Sequence, residues 1–302
     1  MSSAIVHIVL LLVFPPFLLG VINRTKAWFA GRTGAPLLQP YYDLVKLFRK
    51  GLVLSTTTTW IFRAAPAVTL ATVLLAGLLI PLGQFDAPVA FTGDLILFAY
   101  LFGLARFFTP AAALDTGSAF EGMGAAREVT FSCLSEPALF LALLVLAKIS
   151  GSLTLTDLLR GPLGGFGPTA VAPMVLIAIG LFIVMLAETC RIPVDDPNTH
   201  LELTMIHEGM VLDHSGPLLG VILYAAAVKL FILGSVLLHV LAPVRLETAW
   251  LNWPLLLLEL TGLAAVVGIV ESIMARLQMR HVPYLLVGAV LFCGFGFILL
   301  VR

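Results

Sequence analysis

Eight apolar runs, each near the length that crosses a lipid bilayer, leave this chain few architectures. A spanning helix needs about 20 mostly apolar residues. Backbone in hydrocarbon must satisfy its own hydrogen bonds, so such runs become helices or closed barrels. The runs cover about 4–22, 65–84, 92–109, 131–149, 170–189, 218–241, 251–272 and 282–301. Only 11% of the residues are charged, against about 25% in soluble domains. The expectation is an all-α polytopic membrane protein, with residues 1–302 forming one integral-membrane domain in the lipid bilayer.

The first run could pass for a signal peptide. It has no basic residue before it and no small-residue cleavage pattern after it, and Arg24 and Lys26 follow. It reads as a retained span. Arg24, Lys26, Arg32, Lys46, Arg49, Lys50, Arg63, Arg106, Arg127, Arg191, Arg276 and Arg280 group on one side of the runs. Lys148, Arg160, Arg245 and Arg302 group on the other, and Lys229 lies mid-span. The positive-inside rule then predicts both termini outside and the connections after spans 1, 3, 5 and 7 in the cytoplasm. Net charge is zero, which gives no reason to expect nucleic acid as a partner.

The first connection contains PYYDLVKLFRKG, residues 40–51. Tyr41, Leu44, Val45, Phe48 and Leu52 share one helical face, while Asp43, Lys46 and Lys50 share another. Pro40 suits a helix start and Gly51 a helix end. This pattern predicts an amphipathic helix on the cytoplasmic membrane surface or against other loops.

Charges inside spans are costly, and they usually face a partner or water. Glu136, Glu188, Lys229, Glu259 and Glu271 fall in or at the ends of the apolar runs. Lys229 is too deep to snorkel fully and calls for a carboxylate or water. A set of such groups is either a proton path or a static ion pair that fixes packing. The 188–216 stretch adds ETCRIPVDDPNTHLELTMIHEGMVLDHSG, with six acids against Arg191. His200, His207 and His214 recur every seven residues, which on a helix is about 10 Å per step and too far for one metal. Cys133, Cys190 and Cys293 make no C-x-x-C, so no metal or cofactor site is expected in this chain. The stretch reads as a solvated acidic loop or as the mouth of a proton path. The second reading joins Glu202, Glu208 and Asp213 to Glu136, Glu188 and Lys229.

Four blocks of sequence resemble a known family: the membrane subunit shared by respiratory complex I, where it forms the quinone chamber, and by energy-converting hydrogenases of the formate-hydrogenlyase type. The first, GRTGAPLLQPYYDLVKLFRKG, carries Gln39, Asp43 and Lys46. The second, LDTGSAFEGMGAAREVTFSCLSEPALF, carries Asp115, Arg127, Glu128, Glu136 and Pro137 and is similar to the hydrogenase branch, as is Lys229. The third runs from Glu188 through Arg191, Pro193, Asp195, Asp196 and Glu202 to the DHSG at 213–216, and ESIMARLQ at 271–278 is the fourth. The resemblance implies eight spans and a place in the inner (plasma) membrane. It implies soluble large and small subunits, which would hold nickel–iron and iron–sulfur centres, and antiporter-like membrane neighbours. Gln39, Asp43, Lys46, Arg127, Glu128, Arg191, Asp195 and Asp196 would then face the redox arm or a quinone-like cavity. The implied role is coupling of electron transfer to proton or sodium movement, with a quinone-binding dehydrogenase subunit as the alternative. A stand-alone transporter and a passive anchor are the competing readings, and the chain has no internal repeat of the transporter kind.

Overall fold

The computed structural model describes residues 2–160, 171–195, 205–241, 246 and 248–301. Among these residues the chain is helical, with no β-strand. Seven helices are long and apolar enough to cross a membrane. They are α4 Trp60–Leu79, α5 Asp94–Asp115, α6 Ala119–Ser150, α8 Val171–Glu188, α10 Gly216–Leu241, α11 Asn252–Ile273 and the segment Met279–Val301, which contains α12 Val282–Val301. The first predicted span is instead two helices, α1 Ser2–Val13 and α2 Pro15–Phe29, bent by 45°. Pro15 and Pro16 explain the break, because a proline lacks the N–H that would continue the ladder but suits a first helical turn. Counted as one span, the bent pair makes eight. It runs seven residues past the predicted end, so Arg24 and Lys26 lie on α2 rather than in a loop.

Helix α6 also departs from its predicted span, 131–149. At 32 residues it is about 48 Å long, against a hydrocarbon core of about 30 Å. Its first three turns carry Glu121, Arg127 and Glu128 and hold the polar connections beside them, which an apolar-run count does not register.

The connections fall on two faces. On one, Ser215 Oγ accepts from Val53 N at 3.0 Å and donates to Val53 O at 2.8 Å. There Arg127 Nη1 donates to Met205 O at 2.8 Å, and Leu277 N donates to Pro193 O at 3.1 Å. On the opposite face Asp94 Oδ1 accepts from Leu155 N at 2.6 Å, beside the one-and-a-half-turn helix α7 Leu155–Arg160. Gln84 reaches Leu246 O there at 3.3 Å. The connections after spans 1, 3, 5 and 7 thus share a face, as the charge count expects. Arg106 is the exception in that count: it lies within α5 and is 6% exposed.

The helix expected at 40–51 is α3 Gln39–Arg49, and no residue in it is fully buried. Tyr41, Leu44 and Leu47 are half-buried, while Val45 and Phe48 remain exposed. Tyr41 Oη donates to Val13 O at 2.5 Å. A Cβ at Gly220 of α10 would stand 3.3 Å from Leu47 Cβ, so this glycine lets the two helices approach closely. Gly216, the last residue of DHSG, has φ 50°, and a Cβ there would meet Gly51 O at 2.6 Å. Only glycine fits that backbone and that contact.

Asp115, at the end of α5, caps the start of α4. Its Oδ2 accepts from Thr59 N at 2.7 Å and Phe62 N at 3.3 Å, and its Oδ1 accepts from Thr59 Oγ1 at 2.8 Å. Asp115→Ala frees orphan donors of α4 and is expected to cost about 1–2 kcal/mol. Thermal unfolding in mild detergent checks this, and an unchanged midpoint would remove the cap from the account.

Candidate functional site

Four helices bring their buried charges to one place. Arg106 of α5, 5% exposed along its side chain, donates from Nη1 to Glu136 Oε1 of α6 at 2.6 Å and from Nε to Glu188 Oε2 of α8 at 3.0 Å. Lys229 Nζ of α10 lies 3.6 Å from the same Glu188 oxygen. Ser135 Oγ donates to Glu188 Oε1 at 2.8 Å. Glu188 therefore has a partner on each oxygen, as a buried carboxylate must. Glu136 is different: 44% of its side chain is exposed.

Glu188 is the last residue of α8, and the helix stops there for a local reason. Cys190 takes φ 52°, and its N–H bonds Ala187 O at 3.2 Å while Arg191 N–H bonds Leu186 O at 2.8 Å. This paired pattern with a left-handed residue is the Schellman helix end, which usually uses glycine. It turns the chain sharply, leaving Glu188 against Arg106 and sending Arg191 the other way. Arg191 Nη1 then stands 3.3 Å from Glu271 Oε1 of α11, and Lys26 Nζ of α2 is 2.7 Å from Glu271 Oε2. A second buried ion cluster therefore lies beside the first. Glu259 is half-buried in α11 and joins neither.

The acids of the 188–216 stretch do not gather at one point. Asp195 Oδ1 accepts from Arg276 Nη2 at 2.8 Å, and its Oδ2 accepts from His207 N at 3.0 Å. Glu208 lines a cleft beside α3. Asp213 is exposed, and its backbone N–H donates to buried Glu121 Oε1 at 3.0 Å. Asp196, His200 and Glu202 lie outside the described residues. Gln39 Nε2 donates to Asp43 Oδ1 at 2.9 Å, and Lys46 is exposed on α3.

Among the described residues, two of the cavities that flank this stretch concern the site. One, of about 730 Å³ of empty space, is lined by Arg106, Glu128, Glu188, Lys229, His207 and His214 among others. The other is the open cleft, about 1070 Å³, between α2, α3 and α10. Its lining mixes apolar Leu19, Leu44, Leu47 and Leu223 with Asn23, Asp43, Arg191 and Glu208. Among the described residues, no group of three or more His, Cys, Asp or Glu could hold a metal ion.

Sequence reading passed over Arg106, His207 and His214 as site residues. Arg106 sits in YLFGLARFFTP, where its depth in an apolar run was the available signal. His214 is 5% exposed and stacks on Phe62, with ring centroids 3.9 Å apart and planes at 20°. Neither of its ring nitrogens has a hydrogen-bond partner.

These features define a polytopic α-helical membrane protein built around a buried chain of ion pairs. Residues 2–302 match the NADH dehydrogenase family model, and the chain belongs to that family. Hydrogenase-4 component C of Escherichia coli (strain K12) is 32% identical over 292 residues, covering 93% of this chain and 91% of that protein. Formate hydrogenlyase subunit 4 of the same strain is 30% identical over 299 residues, covering 97% and 94%. An NADH-quinone oxidoreductase subunit of Rubrobacter xylanophilus is 30% identical over 181 residues, covering 60% and 54%. A chain in the structure of the membrane-bound sulfane sulfur reductase, an archaeal respiratory membrane complex, shares the fold. Its TM-score is 0.84 at 21% identity, covering 98% of both chains.

Burial pushes the His207 pKa down to about 4, with Asp195 opposing and Lys229 reinforcing. Burial likewise lowers His214 to about 4, against the Phe62 backbone and Asp213, with His207 adding to the fall. Both are neutral at pH 7. An imidazole whose folded pKa lies below its unfolded value of 6.5 stabilises the fold above that value. That stability is lost as pH falls from about 6.5 toward 4. Each is expected to cost about 2 kcal/mol by pH 5. Thermal midpoints in detergent between pH 7 and pH 5 measure it. His214→Phe, which keeps the stack on Phe62, should flatten the profile, and an unaltered slope would show that His214 does not titrate there.

Proposed function

We propose that this chain is the membrane subunit of a hydrogenase or hydrogenase-related complex, anchoring a soluble redox arm and coupling its electron transfer to proton or sodium translocation. The carrying observation is the chain Glu136–Arg106–Glu188–Lys229, which joins four membrane helices through ion pairs. The two relatives named for hydrogenase-4 and formate hydrogenlyase, each matched over more than nine-tenths of this chain, support the choice of complex.

In this reading Glu136, Glu188 and Lys229 carry the proton path, Arg106 holds their charges together, and Glu202, Glu208 and Asp213 serve its loop-side approach. Arg127, Arg191, Asp195 and Asp196, with Gln39, Asp43 and Lys46, face the redox arm or the cleft, while Glu128, expected there from sequence, lines the ion cavity instead. The loop-rich face is cytoplasmic, both termini are outside and the membrane is the plasma membrane. Soluble large and small subunits carry the nickel–iron and iron–sulfur centres, and antiporter-like subunits sit alongside. A carboxylate held between two cations is kept ionised, and displacing either cation favours its taking up a proton. A redox event that shifts the loop at Arg191 or Asp195 would therefore alter the proton affinity of Glu188.

The cleft favours a second reading, a quinone-binding dehydrogenase subunit. It is roomy, mostly apolar and edged by a few polar groups, as small-molecule sites are.

Affinity isolation of the tagged chain in mild detergent, with metal analysis, separates the two. Nickel with hydrogenase-like subunits is expected; flavin-bearing NADH-oxidising partners with bound quinone would move the assignment to the second reading. In proteoliposomes holding the isolated complex, Lys229→Ala and Glu188→Gln are each expected to cut ion uptake at least tenfold while redox turnover of the soluble arm persists. Unchanged uptake in both would refute the path.

A further inference from the structure

The buried ion cavity and the cleft beside α3 are neighbours, and among the described residues four line both: Thr189, Cys190, His207 and Ala226. A proton crossing from one to the other meets this wall. Ala226 has no exchangeable side-chain proton. Thr189 commits its hydroxyl to Met185 O at 2.6 Å. Burial pushes the Cys190 thiol well above its ordinary range, with Glu128 and Asp195 adding to the effect. Among these described residues the imidazole, with two separate ring nitrogens and no other commitment at Nε2, is the group best built to take a proton on one side and release one on the other.

His207 is held where that role needs it. It opens the single-turn helix α9 His207–Met210, and its backbone N–H is donated to Asp195, which Arg276 fixes in turn. Its Nε2 is buried without a hydrogen-bond partner. On the ion-cavity side stand Arg106 of α5, Glu128 of α6, Glu188 of α8, Lys229 of α10 and His214. On the cleft side stand Asp43 of α3, Arg191 and Glu208. Asp195 completes the charged groups around it.

We propose that His207 is the proton gate between the cleft and the buried ion chain, a role that rests on the translocation reading above. One ring nitrogen takes a proton from water or Glu208 in the cleft. The other gives its own proton to the cavity, toward Glu188 or Glu128. One proton enters and one leaves, and a ring flip or tautomer exchange restores the starting state. The imidazole is neutral at rest because burial holds its pKa at about 4. A neutral ring is donor at one nitrogen and acceptor at the other, so it can relay without resting as a cation beside Lys229.

The test compares His207→Phe, His207→Gln and Glu188→Gln in the assembled complex in proteoliposomes, reading redox turnover and proton uptake separately. His207→Phe and His207→Gln are expected to lower proton uptake at least tenfold, with external imidazole restoring part of it. If His207→Phe fails to assemble, the near-isosteric Gln variant decides. Uptake at the unsubstituted rate in either His207 variant, with Glu188→Gln blocked, would overturn the gate and leave the ion chain standing. A loss that imidazole does not reverse would also overturn it, because it would mark a merely structural residue. Full uptake in all three would defeat the translocation reading, and the gate with it.

Discussion

Arg106 is the residue on which the centre of this protein depends. Two carboxylates, buried Glu188 and half-exposed Glu136, close on one guanidinium. A planar cation with several donors can serve two acids at once, which a lysine in the same place would do less well. Remove Arg106 and buried Glu188 keeps only Lys229 and Ser135 as partners, while half-exposed Glu136 loses its ion pair. Breaking a buried pair in this way costs about 3–5 kcal/mol in soluble proteins. The same dependence makes the site responsive, since moving any one charge changes what the others need.

In the proposed mechanism the stretch from Thr189 to Ser215 links the redox arm to the ion chain. Its described parts are tied down by contacts from three places: Val53 of the first connection, Glu121 and Arg127 at the start of α6, and Arg276 of the connection after α11. Its first turn ends α8 through a left-handed Cys190 where glycine would be at ease, so the bend is retained at some cost in strain. That bend separates Glu188, which faces the ion chain, from Arg191, which faces Glu271 and the cleft. A displacement at one end of the turn is therefore felt by both ion clusters.

Much of the fold was legible because apolar runs of spanning length have one common solution, and the amphipathic helix because period and boundary residues agreed. The bend at Pro15 was visible in the letters but was averaged away by reading 4–22 as a single run. The extra turns of α6 were missed because their stability comes from contacts with the 189–215 loop, which no local pattern records. At the site, Lys229 correctly signalled a carboxylate partner, since a lysine that deep has few alternatives. Arg106 counts among the basic residues of one side although it lies inside the 92–109 run, because a tally of basic residues does not register depth. Asp115 read as part of a motif and is a helix cap. His207 and His214 were weighed as metal ligands at helical spacing, whereas their importance lies in which cavities they line, a property of tertiary structure alone.

The central claim, that Glu188 changes its protonation when the redox arm turns over, can be read directly by redox-triggered infrared difference spectroscopy on the assembled complex. A carboxyl C=O band that appears or disappears on reduction, shifts in deuterated water and is abolished by Glu188→Gln would support it. A difference spectrum with no carboxyl band, or one that Glu188→Gln leaves intact, would contradict it and return the ion chain to a purely structural role.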